Sequence, residues 1–383
     1  MDKIQKSMLS NKKREFGRLK ILDSIRGMAA LLVLYHHIFK LNKEILKSHT
    51  STLTFDVMDF ISELNLEAVL LFFIISGFSI ALSIAKRPLT NGNTLNSYLY
   101  RRFKRILPIY WLAILLAFIT GTVLGILHLN DFSFHNLLGN LLFVQTSASI
   151  PESWAVPYGL NGPLWSLAFE MFFYILFPLV YFLNQKWFIK ISLHTKYVCL
   201  VALVLLGIVV NKKIIFIPYF LFLGGFITWI QGYISAQYYV YWKKRNFFFL
   251  ANLLIGIAVT IGSSQIPSET VKVIGKGMLL NGLFYFSMII LDQYNTTKIK
   301  NFINRLFFKI GEGSYAIYAL HYPILIYFQK LGISLKYQLL VIPPFIVCCY
   351  LLEKKSLLWK LKFLELDYLK PIYLFNKVVL NKK

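Results

Sequence analysis

The sequence predicts an all-α, polytopic membrane protein with about ten transmembrane helices and both termini in the cytoplasm. Three observations carry that prediction. Of 383 residues, 57% are hydrophobic, 17% aromatic and only 15% charged, too apolar for a chain whose whole surface meets water. Ten apolar segments can be marked, at residues 19–39, 66–85, 106–127, 163–184, 197–211, 214–231, 247–263, 271–291, 308–329 and 337–353. Finally, the basic residues alternate between connections: with the N-terminus inside, 31 of the 41 Lys and Arg fall on the cytoplasmic side and 9 on the other, as the positive-inside rule requires. The net charge of +24 therefore reads as a topological signal that also holds anionic headgroups, not as a nucleic-acid footprint.

The expected organisation is a basic cytoplasmic tail (1–18), one membrane domain (19–353) and a second basic tail (354–383). In that last tail Leu357, Leu358, Trp359, Leu361 and Leu364 lie among lysines, a pattern for a helix on the cytoplasmic surface. The first apolar segment follows about twenty polar, basic residues, contains Asp23 and Arg26 and lacks a small-residue cleavage site, so it is expected to stay as the first helix. No internal repeat is visible. The longest external connection, 128–162, is apolar enough from His135 to Val144 to dip into the interface, then turns to Pro and Gly and reads as loop. Such a connection is placed to cap a site from outside. Cys199, Cys348 and Cys349 sit in apolar runs without metal-ligand spacing, which predicts packing roles and no disulfide framework.

Polar residues inside the apolar segments are the functional candidates, because an Arg at the centre of a spanning helix costs roughly 2.5–3.5 kcal/mol. Arg26 and His37 are eleven residues apart in the first segment. They therefore share one helix face, separated by about 16 Å along the axis. His36 points about 100° away, so only one of the two histidines shares that face, and His37 is the candidate. In YRRFKRILPIYW, Arg102 and Arg105 are i and i+3, a pair of guanidinium forks suited to phosphate or diphosphate.

Glu170, one turn after Ser166 and one turn before Tyr174, lies well inside a later segment. A carboxylate there is expected to be neutral or paired, with Arg26 the candidate partner. His321 precedes Pro323, which frees a backbone carbonyl and permits a bend beside the imidazole. Ser76–Gly77 and Gly313–Ser314, the latter before Tyr315, permit close helix approach with a hydroxyl in reach. No Ser, His and Asp order indicates a hydrolase triad, and no Walker loop or zinc spacing is present.

The segments LDSIRGMAALLVLYHH, LLFFIISGFSI, YRRFKRILPIYW, GPLWSLAFEMFFYILFP and IGEGSYAIYALHYPIL resemble, in order and spacing, the landmarks of the acyltransferase-3 family of integral-membrane acyltransferases. The resemblance runs from residue 22 to about residue 330. It implies a ten-helix domain of the cytoplasmic membrane that moves an acyl group, usually acetyl, from cytoplasmic acyl-CoA to a hydroxyl of an extracytoplasmic glycan. The family's Arg and His pattern maps onto Arg26 and His37, and its paired arginines onto Arg102 and Arg105. Its Trp-Ser and Glu pattern falls on Trp165, Ser166 and Glu170, and its Ser-Tyr and His pattern on Ser314, Tyr315 and His321.

Two departures stand out: Ser24 replaces a usual Gly, and Glu353 is followed by Lys354 and Lys355 instead of a Pro two residues on. The second gives no ground for a special role at that end. No hydrolase-like domain follows, so the chain resembles the stand-alone members.

The resemblance implies His37, Glu170 and His321 as the catalytic set and Arg26, Arg102 and Arg105 as holders of the acyl-CoA phosphates, with Ser166, Ser314 and Tyr315 in support and no metal. His37 is expected to act as general base, with a transient acyl-histidine as alternative. Glu170 is a candidate to orient either histidine, and Ser166 or Tyr315 to stabilise an oxyanion. The expected partners are a glycan or lipid-linked glycan acceptor, membrane lipids and glycan-assembly machinery. A transporter or translocase of a polar or lipid-linked sugar is the rival reading, in which the buried Arg, Glu and His form a substrate pathway. A non-catalytic membrane partner is the second rival.

Overall fold

The computed structural model describes residues 20–147, 150, 153–186, 220–241, 246–263, 269–293 and 297–354, with isolated helical positions between 195 and 206. The first basic tail, the second apart from Lys354 together with the surface helix expected there, and most of the apolar segment 197–211 lie outside the described residues. The described residues form three short 3-10 turns and thirteen α-helices: α1 (Lys20–Leu41), α2 (Lys43–His49), α3 (Thr52–Glu63), α4 (Asn65–Lys86), α5 (Gly92–Val123), α6 (Phe134–Leu141), α7 (Trp165–Lys186), α8 (Phe220–Tyr241), α9 (Asn246–Ser263), α10 (Glu269–Gln293), α11 (Thr297–Glu312), α12 (Ser314–Lys330) and α13 (Leu335–Glu353). Among the described residues there is no strand, and one isolated bridge joins Gln145 to Ala155.

Five spans among the described residues are long and apolar enough to cross a membrane: Thr52–Lys86, Gly92–Val123, Gly162–Lys186, Val271–Ile290 and Leu335–Glu353. Helix α1 is not one of them, because Asp23, Arg26 and two histidines dilute its apolar character. Trp111, Leu115, Phe118 and Ile119 make an exposed apolar stripe on α5 at helical spacing, the surface a bilayer would cover.

Helix α1 is central and packs against α3, α4, α11 and α12. Glycines set two of the closest approaches. A methyl group at Gly311 would collide with the carbonyl of Asp23, and one at Gly77 with that of Trp229. Only glycine lets α11 lie on α1, and α4 on α8, at these separations. Between α4, α7 and α8 a knot of rings, including Phe73, Phe169, Phe173, Phe226 and Trp229, fills the buried core.

Three expectations need correction. The apolar segment 308–329 is two helices, α11 and α12, broken at Gly313, which packs too close to Tyr350 for a side chain. Helix α5 begins at Gly92, well before the apolar run, because Asn91 and Thr94 form a capping box. Of the cysteines, only Cys349 is buried; Cys199 and Cys348 are exposed.

The long connection 128–162 also holds more structure than a loop. It forms α6 and is tied by amides. Asn140 Nδ2 donates to the carbonyls of Asn136 and Val156, both at 2.8 Å, and its Oδ1 accepts from the Tyr158 amide at 3.1 Å. Gln145 Nε2 donates to the Tyr110 hydroxyl at 2.8 Å and to the Leu164 carbonyl at 3.0 Å. These buried bonds make the connection a fixed wall leading into α7.

Candidate active site

Two cavities lie along the inner face of α1. The larger, of about 800 Å³, is lined by Asp23, Arg26, Ser79, Ser83, Lys86, Arg105, Glu312, Glu353 and Lys354, among others. The smaller, of about 40 Å³, is bounded by Val69, Phe72, Phe73, Ser76, Ser166, Glu170, Ser314, Tyr315 and Tyr318, among others. Arg26 and Arg105 belong to both walls. A charged chamber therefore meets, at two guanidiniums, a tight one walled by aromatic rings, serines and Glu170.

Arg26 is held by groups that a sequence reading treats as incidental. Its Nη1 donates to Asp23 Oδ1 at 2.9 Å and its Nη2 to Ser79 Oγ at 2.6 Å. Asp23, one turn away on the same helix, is thus the carboxylate partner of Arg26, in place of the expected Glu170. Proximity along one helix secures the pair without ordering a second element.

Glu170 instead accepts from Ser76 Oγ at 2.9 Å and from the Tyr174 hydroxyl at 2.5 Å, while Trp229 Nε1 donates to Ser76 Oγ at 3.2 Å. It bonds neither histidine. The serine of the Ser76–Gly77 pair is therefore a carboxylate ligand as well as a packing residue.

The two arginines of α5 part company. Arg102 is buried, donates to Ser83 Oγ at 3.2 Å and lies over the rings of Tyr98 and Tyr174 at 5.5 and 5.6 Å. It lines neither cavity. Arg105 lines both, and no side chain among the described residues hydrogen-bonds its guanidinium. The geometry thus offers one guanidinium of α5 at the cavity walls, in the field of Glu170 and Glu353 but bonded to neither, where the i, i+3 spacing suggests a pair.

Neither His37 nor His321 lines either cavity; the pair is reached through Tyr318, which does line the small one. His321 Nδ1 faces the carbonyls of Ile317 and Tyr318, both at 2.9 Å. Carbonyls only accept, so Nδ1 carries the proton and neutral His321 has its lone pair on Nε2. That Nε2 lies 3.1 Å from His37 Nδ1, which also faces the Val33 carbonyl at 2.9 Å. His37 Nδ1 must then be the donor, and the lone pair of neutral His37 sits on Nε2. His321 orients His37 through this bond, the part that sequence reasoning allotted to Glu170. His36 turns elsewhere, its Nδ1 lying 2.7 Å from the Ser62 carbonyl.

The supporting residues have definite partners. Tyr315 donates its hydroxyl proton to the Ile106 carbonyl at 3.0 Å, which commits it to the backbone. Ser314 Oγ donates to the Gly311 carbonyl at 2.8 Å at the start of α12. Ser166 Oγ and the Tyr318 hydroxyl are 2.6 Å apart, and Tyr318 also donates to the Pro163 carbonyl at 3.0 Å. The Tyr318 ring stands 6.3 Å from that of His321, which links the small cavity to the histidine pair.

The family profile described as an acyltransferase domain matches residues 19–354. The chain belongs to the acyltransferase-3 family. It is 32% identical to acyltransferase MdmB of Streptomyces mycarofaciens over 170 residues, 44% of this chain and 41% of MdmB. It is also 32% identical to exopolysaccharide production protein ExoZ of Rhizobium meliloti (strain 1021) over 117 residues, 30% of this chain and 34% of ExoZ. The chain thus spans 41% and 34% of the length of these curated relatives. No solved structure matches it. With its apolar helices, this acyltransferase-3 protein is an integral membrane protein.

Asp23, Ser79, Tyr318 and Glu353 also line the two cavities of this acyltransferase-3 protein, although sequence reasoning gave them no role there. Glu353 lines the large cavity, and its Oε1 accepts from the Ala316 amide at 2.7 Å, capping the start of α12. The missing Pro after it therefore did not mark an idle end. A signal was available: a carboxylate closing an apolar helix needs a donor, and the first amides of a neighbouring helix supply one.

Proposed function

We propose that this protein transfers an acyl group, with acetyl the simplest, from acyl-CoA on the cytoplasmic side to a hydroxyl of an extracytoplasmic glycan or its lipid-linked precursor. The reading rests on one observation: the charged chamber meets the small cavity at Arg26 and Arg105, and Tyr318 of the small cavity stands beside His321, which holds His37 with a free lone pair on its Nε2. In this reading both termini are cytoplasmic and the large cavity opens there. Arg105 takes a phosphate of the donor, with Lys86 and Lys354 adding charge at the cavity wall. The rise of about 16 Å from Arg26 to His37 is of the order of an extended pantetheine arm.

His37 Nε2 removes the proton of the acceptor hydroxyl as its oxygen attacks the thioester carbonyl. The carbon–sulfur bond breaks, and the proton goes from His37 to the departing thiolate, so that ester and free thiol are the products. His321 Nε2 keeps its bond to His37 Nδ1–H throughout, which favours the imidazolium while it lasts. ExoZ, named for exopolysaccharide production, supports a polysaccharide acceptor.

The test uses membranes carrying the full chain, labelled acetyl-CoA and acceptor glycan. His37→Ala should reduce transfer by at least about 100-fold at unchanged protein level. Normal transfer by that variant would sink the reading, as would movement of an intact solute that needs no acyl-CoA.

A further inference from the structure

Helix α12 contains Pro323, which has no N–H to give to the carbonyl four residues back. That carbonyl belongs to Ala319, two residues before His321. In the structure it is not left bare. Asn161, at the end of the long connection, donates to it from Nδ2 at 3.0 Å. Asn161 is fully buried, and its own Oδ1 is buried without a partner. The reverse amide assignment would set two oxygens against each other at that distance, so the side chain is there for its donor.

We infer that Asn161 is a positioning residue: it replaces the helix hydrogen bond missing at Pro323 and so fixes the turn of α12 that holds His321. Three consecutive carbonyls define that turn. Those of Ile317 and Tyr318 bind His321 Nδ1, and that of Ala319 binds Asn161. The same short segment grips the turn a second time, since the Tyr318 side chain bonds the Pro163 carbonyl and Ser166 Oγ. Residues 161–166 thus clamp α12 at two adjacent positions just before the histidine. Were the Ala319 carbonyl freed, its peptide plane could tilt outward, as at other proline sites. The ring would then lose the fixed pair of acceptors that sets its tautomer, and with it the orientation imposed on His37.

This inference rests on the reading that His37 and His321 carry the transfer. It is tested by a double-mutant cycle on the full chain in membranes, with kcat and KM for acetyl-CoA measured. Asn161→Ala should lower kcat about tenfold and leave KM for acetyl-CoA within twofold. In a Pro323→Ala background residue 323 supplies the missing N–H, so adding Asn161→Ala should change kcat by less than twofold. Pro323→Ser restores the same donor if Pro323→Ala does not accumulate.

Asn161→Leu, close in size but without any donor, should lose as much as Asn161→Ala. A tenfold loss in both backgrounds, or wild-type kcat in Asn161→Leu, overturns the inference. His37→Ala run in parallel separates the two ideas. Transfer without His37 retires the proposed mechanism, whereas His37 dependence with additive Asn161 and Pro323 effects retires only the role of Asn161.

Discussion

The two ends of α1 solve opposite problems. At the Arg26 end a permanent charge sits on a buried helix, and the protein surrounds it with Asp23, Ser79 and a wide polar chamber. At the His37 end a ring that can be neutral sits among rings and carbonyls, and the protein supplies only one bond from His321 and one backbone acceptor. The difference teaches where polarity has to be concentrated. A guanidinium cannot shed its charge and needs compensation wherever it goes, while a neutral imidazole needs only the correct tautomer. Binding of an anionic group suits the first end, and proton transfer the second.

Substitutions can break this contrast or sharpen it. The largest expected effect removes both ends at once: Gly311→Leu drives a side chain into the Asp23 carbonyl, so α11 cannot seat on α1. No monodisperse protein should be recovered in detergent, and recovery at the wild-type level would refute the packing argument. His321→Phe strikes the His37 end alone. It keeps a ring but removes the acceptor for His37 Nδ1–H, and kcat should fall about 100-fold with KM for acyl-CoA unchanged.

Arg105→Gln strikes the other end. Its KM for acyl-CoA should rise about tenfold, roughly one charge-assisted hydrogen bond, with a smaller change in kcat. Arg102→Gln is the comparison variant, because Arg102 stacks between tyrosines and lines neither cavity. It should lower the melting temperature and spare KM. If the two variants behave alike, the separate roles drawn for them are wrong. The smallest effect is expected for Glu353→Ala, which removes the cap on Ala316 and should cost about 1 kcal/mol of stability. Glu353→Gln retains the accepting oxygen and should lie closer to wild type, which a thermal melt can resolve.

The helical class was legible because an apolar run long enough to span leaves little choice of structure. Arg26, His37, Glu170 and His321 were legible as candidates because a polar residue in such a run is costly. Their partners were less so. The pair Asp23 and Arg26 is local and open to an i, i+3 argument, yet the distant Glu170 is the carboxylate that stands out in an apolar run. The break at Gly313 was hidden because apolarity continues on both sides of it. The parting of Arg102 from Arg105 had no sequence signal, since equal spacing on α5 says nothing about what α4 and α7 place beside each fork.

By itself, then, the sequence determined a bundle of apolar helices, the residues too polar to sit in it without a reason, and the family to which they belong. Those follow from the cost of polar groups in an apolar medium, which each residue carries wherever the chain folds. Tertiary structure alone decided that His321 would face His37 across 284 positions of sequence and that Asn161 would reach the carbonyl freed by Pro323. Hydrogen bonds act over about 3 Å, and only packed helices bring residues so far apart in the chain to that distance.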